Sequence, residues 1–443
     1  MDETLFEVRE QRRPTEGTSS EAKARYLEAE RAQLELRTSD LESLLGPEHM
    51  ARVVWAFVEQ VDLGPLYAEI RAVEGHAGRP AIDPKILLGL WLYATLEGVG
   101  SARALARLCE AHDAYRWIRG GVEVNYHTLS DFRVGHMEFL DGLLTQSVAA
   151  LLKAGAVTMQ RVSQDGMRVR ASAGAASFRR QGTLERCVAQ ARAQVEALRE
   201  ELETDPAATE RRQRAARERA VREREQRVEA ALKELPKVVA KKAAAEREQA
   251  RVSTTDPEAR VMKMADGGFR PAYNAQLATD TGSQVIVGVS VTHVGSDQGQ
   301  MSGMVEQLRG RYGAIPAEYL VDGGFVGLAE IERVQAAGST VYGPVAKPKD
   351  PDRDPHVALP GDSPQIAQWR ERMGTEAAKA IYKLRAATSE CVNALARNRG
   401  LYQLGVRGPE KARAILLWHA LAQNLRRSWV LGALIPAGAR GKG

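Results

Sequence analysis

At 443 residues with 44% hydrophobic content, the chain is long enough to bury a sizeable core and to divide into two or three domains. Its 62 basic and 57 acidic residues leave a net charge of +5, an excess too small to identify a polyanionic partner unless the cations cluster. Cys109, Cys187 and Cys391 lie far apart with no Cys or His at metal-ligand spacing. This excludes a zinc module and a disulfide framework, while the lack of a secretory signal or bilayer-spanning apolar run leads us to expect a cytoplasmic protein with no membrane contact.

Residues 1–40 are polar and rich in Arg and Glu, the composition of a mobile arm. Over residues 41–157 the apolar spacing is helical. Asp83-Pro84 reads as a helix start, a capping carboxylate followed by a proline in the first turn, with Ile86, Leu87, Leu90, Trp91 and Tyr93 behind it. Ser101 opens a second helix, and a third starts near Thr128. Short helices ending with Tyr126, His127, Thr128 and Arg133 would set basic and polar side chains against a DNA groove. The plainer alternative is a packing domain whose charges are merely solvated.

Beyond Val157 the period becomes that of strands. Residues 165–170, 272–278 and 284–291 alternate or run apolar, with Asp280-Thr-Gly-Ser283 as a turn between two of them. Helices over 298–312 and 328–337 then alternate with strands over 318–321 and 340–345. Residues 183–252 are an insertion of almost unbroken Ala, Glu, Arg, Gln and Leu, interrupted at Thr204-Asp-Pro206, which predicts an antiparallel helical hairpin. It has too few large apolar residues for a deep core. A solvated projection is the default reading, and an arm for DNA or a second protomer is the alternative. A Pro- and Asp-rich loop fills 344–364, helices cover 365–397 and 409–429, and 431–443 form a tail.

Three acids stand in chemically legible settings. Asp165 interrupts Val162-Ser-Gln-Asp165-Gly-Met-Arg-Val-Arg170, Asp322 closes Tyr319-Leu-Val-Asp322, and Glu390 lies on the helix that begins before Tyr382. Two strands and a helix each delivering one carboxylate can hold two hard divalent cations, because Mg²⁺ takes oxygen ligands and keeps positions open for phosphate and water. Against this, Asp-Gly pairs commonly make tight turns, and a helical Glu is usually solvated. Asp322 is favoured by its place after an apolar run, where a strand end opens onto a crevice. Asp266-Gly-Gly-Phe269 repeats the local pattern of Asp322 but precedes a strand, so it reads as a turn or as a DNA-facing loop with Arg270.

These settings resemble the D, D, E signature of bacterial insertion-sequence transposases with an RNase H-like catalytic domain, in the Tyr-Arg-Glu-Lys branch with an InsH-like helical N-terminal domain. Arg79-Pro-Ala-Ile-Asp-Pro-Lys85, Asn125-Tyr-His-Thr-Leu-Ser-Asp-Phe-Arg133 and Asp266-Gly-Gly-Phe-Arg-Pro-Ala-Tyr-Asn-Ala-Gln276 extend the resemblance. It implies an α/β RNase H-like core over 158–182 and 253–430, an all-α DNA-binding domain over 41–157, and the inserted hairpin over 183–252. It further implies that Asp165, Asp322 and Glu390 are the catalytic and metal-binding residues, using two Mg²⁺ ions with Mn²⁺ as an alternative, and that Tyr382 and Arg385 approach the DNA near them. Two departures from the pattern stand out: the spacing from Arg385 to Glu390 is one residue longer than usual, and Arg397 replaces a Lys at a phosphate-binding position.

The expected activity is cleavage and strand transfer of double-stranded DNA, with terminal inverted repeats and target DNA as partners and a homo-oligomer assembled on them. The alternatives are a metal nuclease that cleaves without joining and a catalytically silent DNA-binding remnant.

Overall fold

The computed structural model describes residues 40–72, 80–204, 211–348, 350 and 352–433. The polar arm over 1–39, Arg79, the turn at 205–206 and the tail beyond 433 lie outside the described residues.

A layer of helices comes first: α1 (Met50–Val58), α2 (Gly64–Ala68), α3 (Pro84–Leu96), α4 (Ala102–Ala111), α5 (Asp113–Arg119), α6 (Tyr126–Gly135) and α7 (Met137–Lys153). Their starts follow from side-chain caps. Asp83 accepts from the Lys85 N–H ahead of α3, Ser101 from Ala104 ahead of α4, and Asn125 from Thr128 ahead of α6, each filling a donor that the first turn leaves unpaired. Helix α3 is buried along nearly its whole length, which makes it the spine of this layer.

The strands are β1 (Arg161–Arg170), β2 (Phe178–Arg179), β3 (Val252–Ser253), β4 (Arg260–Lys263), β5 (Phe269–Asp280), β6 (Ile286–Thr292), β7 (Glu318–Leu320) and β8 (Thr340–Tyr342). In the main sheet β1 is central. It pairs antiparallel with β5 on one side and parallel with β7 on the other, and β8 continues in parallel beyond β7. The far edge of β5 is shared by β6 and β4, both antiparallel to it. Parallel pairs need long crossovers, which α10 (Met301–Tyr312) and α11 (Leu328–Ala336) supply.

Between β1 and β5 the chain leaves the sheet as α8 (Gln181–Thr204) and α9 (Arg211–Ala240), which pack against each other. The hairpin has a small apolar cluster of its own, Leu184, Ala231, Leu235, Ala250 and Val252, separate from the main core. The short β2–β3 pair closes its base. This separation explains how a charge-dense insertion is accommodated without disturbing the sheet.

The C-terminal part contains α12 (Pro364–Gly374), α13 (Glu376–Arg385), a π-helical segment (Ala386–Glu390), α14 (Cys391–Asn398) and α15 (Pro409–Val430). The sequence pattern had suggested one helix over 365–397. The break falls at Gly374-Thr375, where Thr375 leaves the helical conformation and its hydroxyl caps the next helix by accepting from Ala378.

Helix α15 joins the two layers. Trp418 lies 6.5 Å from Trp91 and 6.3 Å from Phe132, ring centre to ring centre, and its indole N–H donates to the Arg133 carbonyl at 2.8 Å. One helical turn and a half further along, Asn424 bonds both the N–H and the carbonyl of Ile286, at 2.7 and 2.8 Å, satisfying backbone groups on β6. The described residues from Leu41 onward accordingly form one compact unit with a continuous apolar core.

Candidate active site

Strand β7 pairs with β1 only as far as Ser163, so the β7-facing edge of β1 is free of ladder partners from Gln164 until Arg170 bridges to Gln403. Asp165 lies in this open stretch. It is a mid-strand residue opposite Leu277, not part of a turn. One carboxylate oxygen accepts the Gly166 N–H at 2.8 Å and the other accepts the Asn393 amide at 3.0 Å. Burial, followed by the neighbouring charge of Asp322, pushes the Asp165 carboxyl up to about 6, with Arg385 pulling the other way.

Asp322 follows β7 by two residues. Its carboxylate accepts the Gly324 N–H at 2.8 Å, and the turn is held by the fully buried Phe325, whose N–H donates to the Asp322 carbonyl. The strand end thus aims a second carboxylate at the open edge of β1.

The site also contains a residue that no sequence pattern indicated. Asp297, only 5% exposed, accepts from Asn274 and Gln276 at 2.7 Å each and pairs with Arg168 at 2.8 Å. It sits so close to β1 that a Cβ at position 166 would run into its carboxylate and lie 2.5 Å from Gln276 Nε2. Glycine at 166 is therefore a packing requirement. A Cβ at position 324 would likewise lie 3.1 Å from an Asp322 oxygen and 3.6 Å from an Asp297 oxygen, so Asp297 reaches the second acid as well. The available signal was the run of polar side chains, Gln164, Asn274 and Gln276, inside otherwise apolar strands.

Arg385 binds the third predicted acid. Its guanidinium donates to Glu390 at 3.0 Å, leaving the Glu390 side chain 60% exposed. Burial disfavours the charge on Arg385, but Tyr382 and the three carboxylates Asp165, Asp322 and Glu390 outweigh it and raise its pKa. Tyr382 stacks beside this cation, its ring centre 5.8 Å from the guanidinium carbon, and burial raises its phenol pKa.

The extra residue between Arg385 and Glu390 now has a structural counterpart. The five residues Ala386–Glu390 form a π-turn within an otherwise α-helical run, and a π-turn absorbs one additional residue. In an α-helix, positions five apart point well away from each other; here they meet. Ser389 in the same segment bonds Ser163 on β1 at 2.6 Å, fixing the π-turn to the strand. Among the described residues, no group of three or more His, Cys, Asp and Glu side chains is placed to hold a metal ion. Asp165 and Asp322 are brought together, while Glu390 reaches them through Arg385.

The remaining predicted contacts fall in different places. Tyr126 and His127 stack at 4.0 Å at the start of α6, with the Arg103 guanidinium 5.1 Å from the Tyr126 ring. Arg133 instead faces the interior, over the Trp91 ring and bonded to the Gly100 carbonyl, and burial lowers its pKa to about 10. Arg270 pairs with Asp266 at 2.7 Å, and Arg397 is exposed on α14.

Residues 39–134 match a family model described as Transposase domain (DUF772). The match spans the helical layer from α1 into α6. This match supports a transposase family for that part of the chain. No curated protein and no solved structure matches the chain. The matched domain contributes Trp91 and Phe132 to the packing around Trp418, so it shares its core with the unit that carries Asp165 and Asp322. No helix among the described residues is long and apolar enough to cross a membrane.

Proposed function

We propose that this chain is a DDE transposase, performing metal-dependent cleavage and strand transfer of double-stranded DNA on an RNase H-like core. The observation that carries this reading is the pair Asp165 and Asp322 at the open edge of β1, with Tyr382 and Arg385 beside it. The sheet order β6-β5-β1-β7-β8, antiparallel on one side of β1 and parallel on the other, supports the fold assignment.

The donor set fits a hard divalent cation. Two carboxylates held close enough for one to raise the other's pKa are a like-charge pair that a cation would relieve, and carboxylate oxygen is what Mg²⁺ and Mn²⁺ take. Asp165 and Asp322 would hold the metal, with Glu390 as the third ligand once its bond to Arg385 is exchanged. A divalent ion held there would supply stabilisation of the charge that develops on the phosphodiester oxygens.

The protein's own groups prepare the site. Asn393 and the Gly166 N–H orient Asp165, the Gly324 N–H orients Asp322, and Asp297 with Arg168 sets the spacing behind both. Arg385 and Tyr382 present a cation and a phenol donor suited to a phosphate oxygen. The water or the DNA 3′-hydroxyl acts as nucleophile, and no covalent protein intermediate is required.

The test incubates the full chain with the DNA that brackets its reading frame and a supercoiled target, in Mg²⁺ or in chelator. The expected result is cleavage at the ends and joining to target only with metal, both abolished by Asp322→Asn. Cleavage without joining would reduce the assignment to a nuclease, and loss of neither activity in Asp322→Asn would overturn the site.

A further inference from the structure

A cleft of about 810 Å³ opens beside Gly166, the residue after Asp165, and is lined by Arg168, Arg170, Lys263, Arg270 and Arg397 together with Tyr402. Its only acidic lining residue is Asp266, which is already paired with Arg270. Arg168 is held by Asp297, whereas Arg170, Lys263 and Arg397 have no ion-pair partner among the described residues. Three uncompensated cations in one cleft stand out in a chain whose whole net charge is only +5.

The cleft is built onto the site. Arg168 and Arg170 stand two residues apart on β1 and share with Gly166 the face opposite Asp165, so cleft and acid adjoin at the edge of β1 that β7 leaves unpaired beyond Ser163. The Asn393 that bonds Asp165 is four residues before Arg397 on α14, so the two share a helix face one turn apart. Tyr402 is fixed at the far end by its backbone, because the Arg170 N–H donates to the Tyr402 carbonyl at 3.1 Å and the Leu404 N–H to the Arg170 carbonyl at 2.8 Å. Its side chain is nevertheless 61% exposed, a large aromatic face in solvent among arginines.

Resting on the DNA reading above, we infer that this cleft binds the sugar-phosphate backbone of the DNA strand flanking the reacting phosphodiester, with Arg170, Lys263 and Arg397 on phosphates and Tyr402 against a base or sugar. Cations that track a backbone and an aromatic face that accepts any base are the two components of sequence-tolerant strand binding. Arg170, Lys263 and Tyr402 enter the candidate interface on this argument alone.

The experiment measures affinity of the full chain for a labelled random-sequence duplex with a single-stranded extension, across a salt series, in chelator and on an Asp322→Asn background. Each phosphate contact removed lowers the slope of log affinity against log salt by about 0.7 to 0.9. The triple variant Arg170→Gln, Lys263→Gln, Arg397→Gln should lower it by about 2 to 3, while Arg397→Lys alone keeps the slope. Tyr402→Ala should weaken binding about ten-fold with the slope unchanged. A parent that binds while the triple variant keeps its affinity and slope would overturn the cleft and leave the catalytic reading standing. A reduced slope in the triple variant, together with a wild-type chain that cleaves no DNA in Mg²⁺, would sink the catalytic reading and leave the cleft, and a parent with no affinity for DNA would remove both.

Discussion

Replacing Asp165 with Asn should make the protein more stable at neutral pH, although it removes a residue assigned to the chemistry. The folded-state carboxyl titrates at about 6, against about 3.9 in an unfolded chain. Ionising it in place therefore costs about 3 kcal/mol at pH 7.5, and about 2 kcal/mol after allowance for the solvent that reaches this partly buried group. The Asn side chain can still accept the Gly166 N–H, and the Asn393 amide can turn its oxygen toward the new NH₂. Because the folded pKa is raised, the carboxyl's stabilising proton is in place below the unfolded value and is lost as pH rises through about 6. The advantage of Asp165→Asn should therefore be small at pH 4, grow between pH 4 and 6, and level off above. Urea unfolding at pH 4, 5, 6 and 7.5 measures it. Equal stability of the two proteins at pH 7.5, or a gain confined to pH 4, would refute the claim that Asp165 is held as an unrelieved anion.

Other outcomes follow from the same geometry. Gly166→Ala should abolish activity and destabilise the fold, because its methyl meets Asp297 and Gln276, and near-ultraviolet circular dichroism with a cleavage assay would show both effects. Trp418→Ala should cost about 3–5 kcal/mol and unfold the helical layer and the sheet in one transition, read as coincident melting by tryptophan fluorescence and far-ultraviolet dichroism. Replacing residues 183–249 by a short Gly/Ser turn should leave the melting of the main unit nearly unchanged, since the hairpin's apolar cluster is separate, and sedimentation on DNA would show whether assembly suffers. Glu390→Gln should weaken the ion pair with Arg385 and slow cleavage while sparing DNA affinity, measured in single-turnover reactions and gel shifts.

What was legible in the sequence was whatever repeats locally. The cap at Asp83, the strand alternation around Asp165 and the apolar run before Asp322 are local features, and each lies where the pattern placed it. The hairpin was visible because its composition departs so sharply from the flanking strands. Asp297 was not visible, since its importance comes from joining Asn274 and Gln276 on β5 to Arg168 on β1, far off in sequence, and a lone Asp before a helix looks like a cap. The π-turn was equally hidden: one extra residue appears only as irregular spacing, and the bond from Ser389 to Ser163 that fixes it spans more than half the chain. Arg133 misled for a related reason. A basic residue ending a polar helix looks solvent-facing until the indole of Trp91, from another helix, is found beneath it.

The most direct test of the account is Mn²⁺ binding to the full chain at pH 7.5, followed by electron paramagnetic resonance. The wild type should bind the ion, Asp165→Asn and Asp322→Asn should each lose most of that affinity, and protonation should weaken binding as pH falls below about 6. Undiminished Mn²⁺ affinity in both variants, with no dependence on pH near 6, would contradict the assignment of this carboxylate pair as the metal site of a DDE transposase.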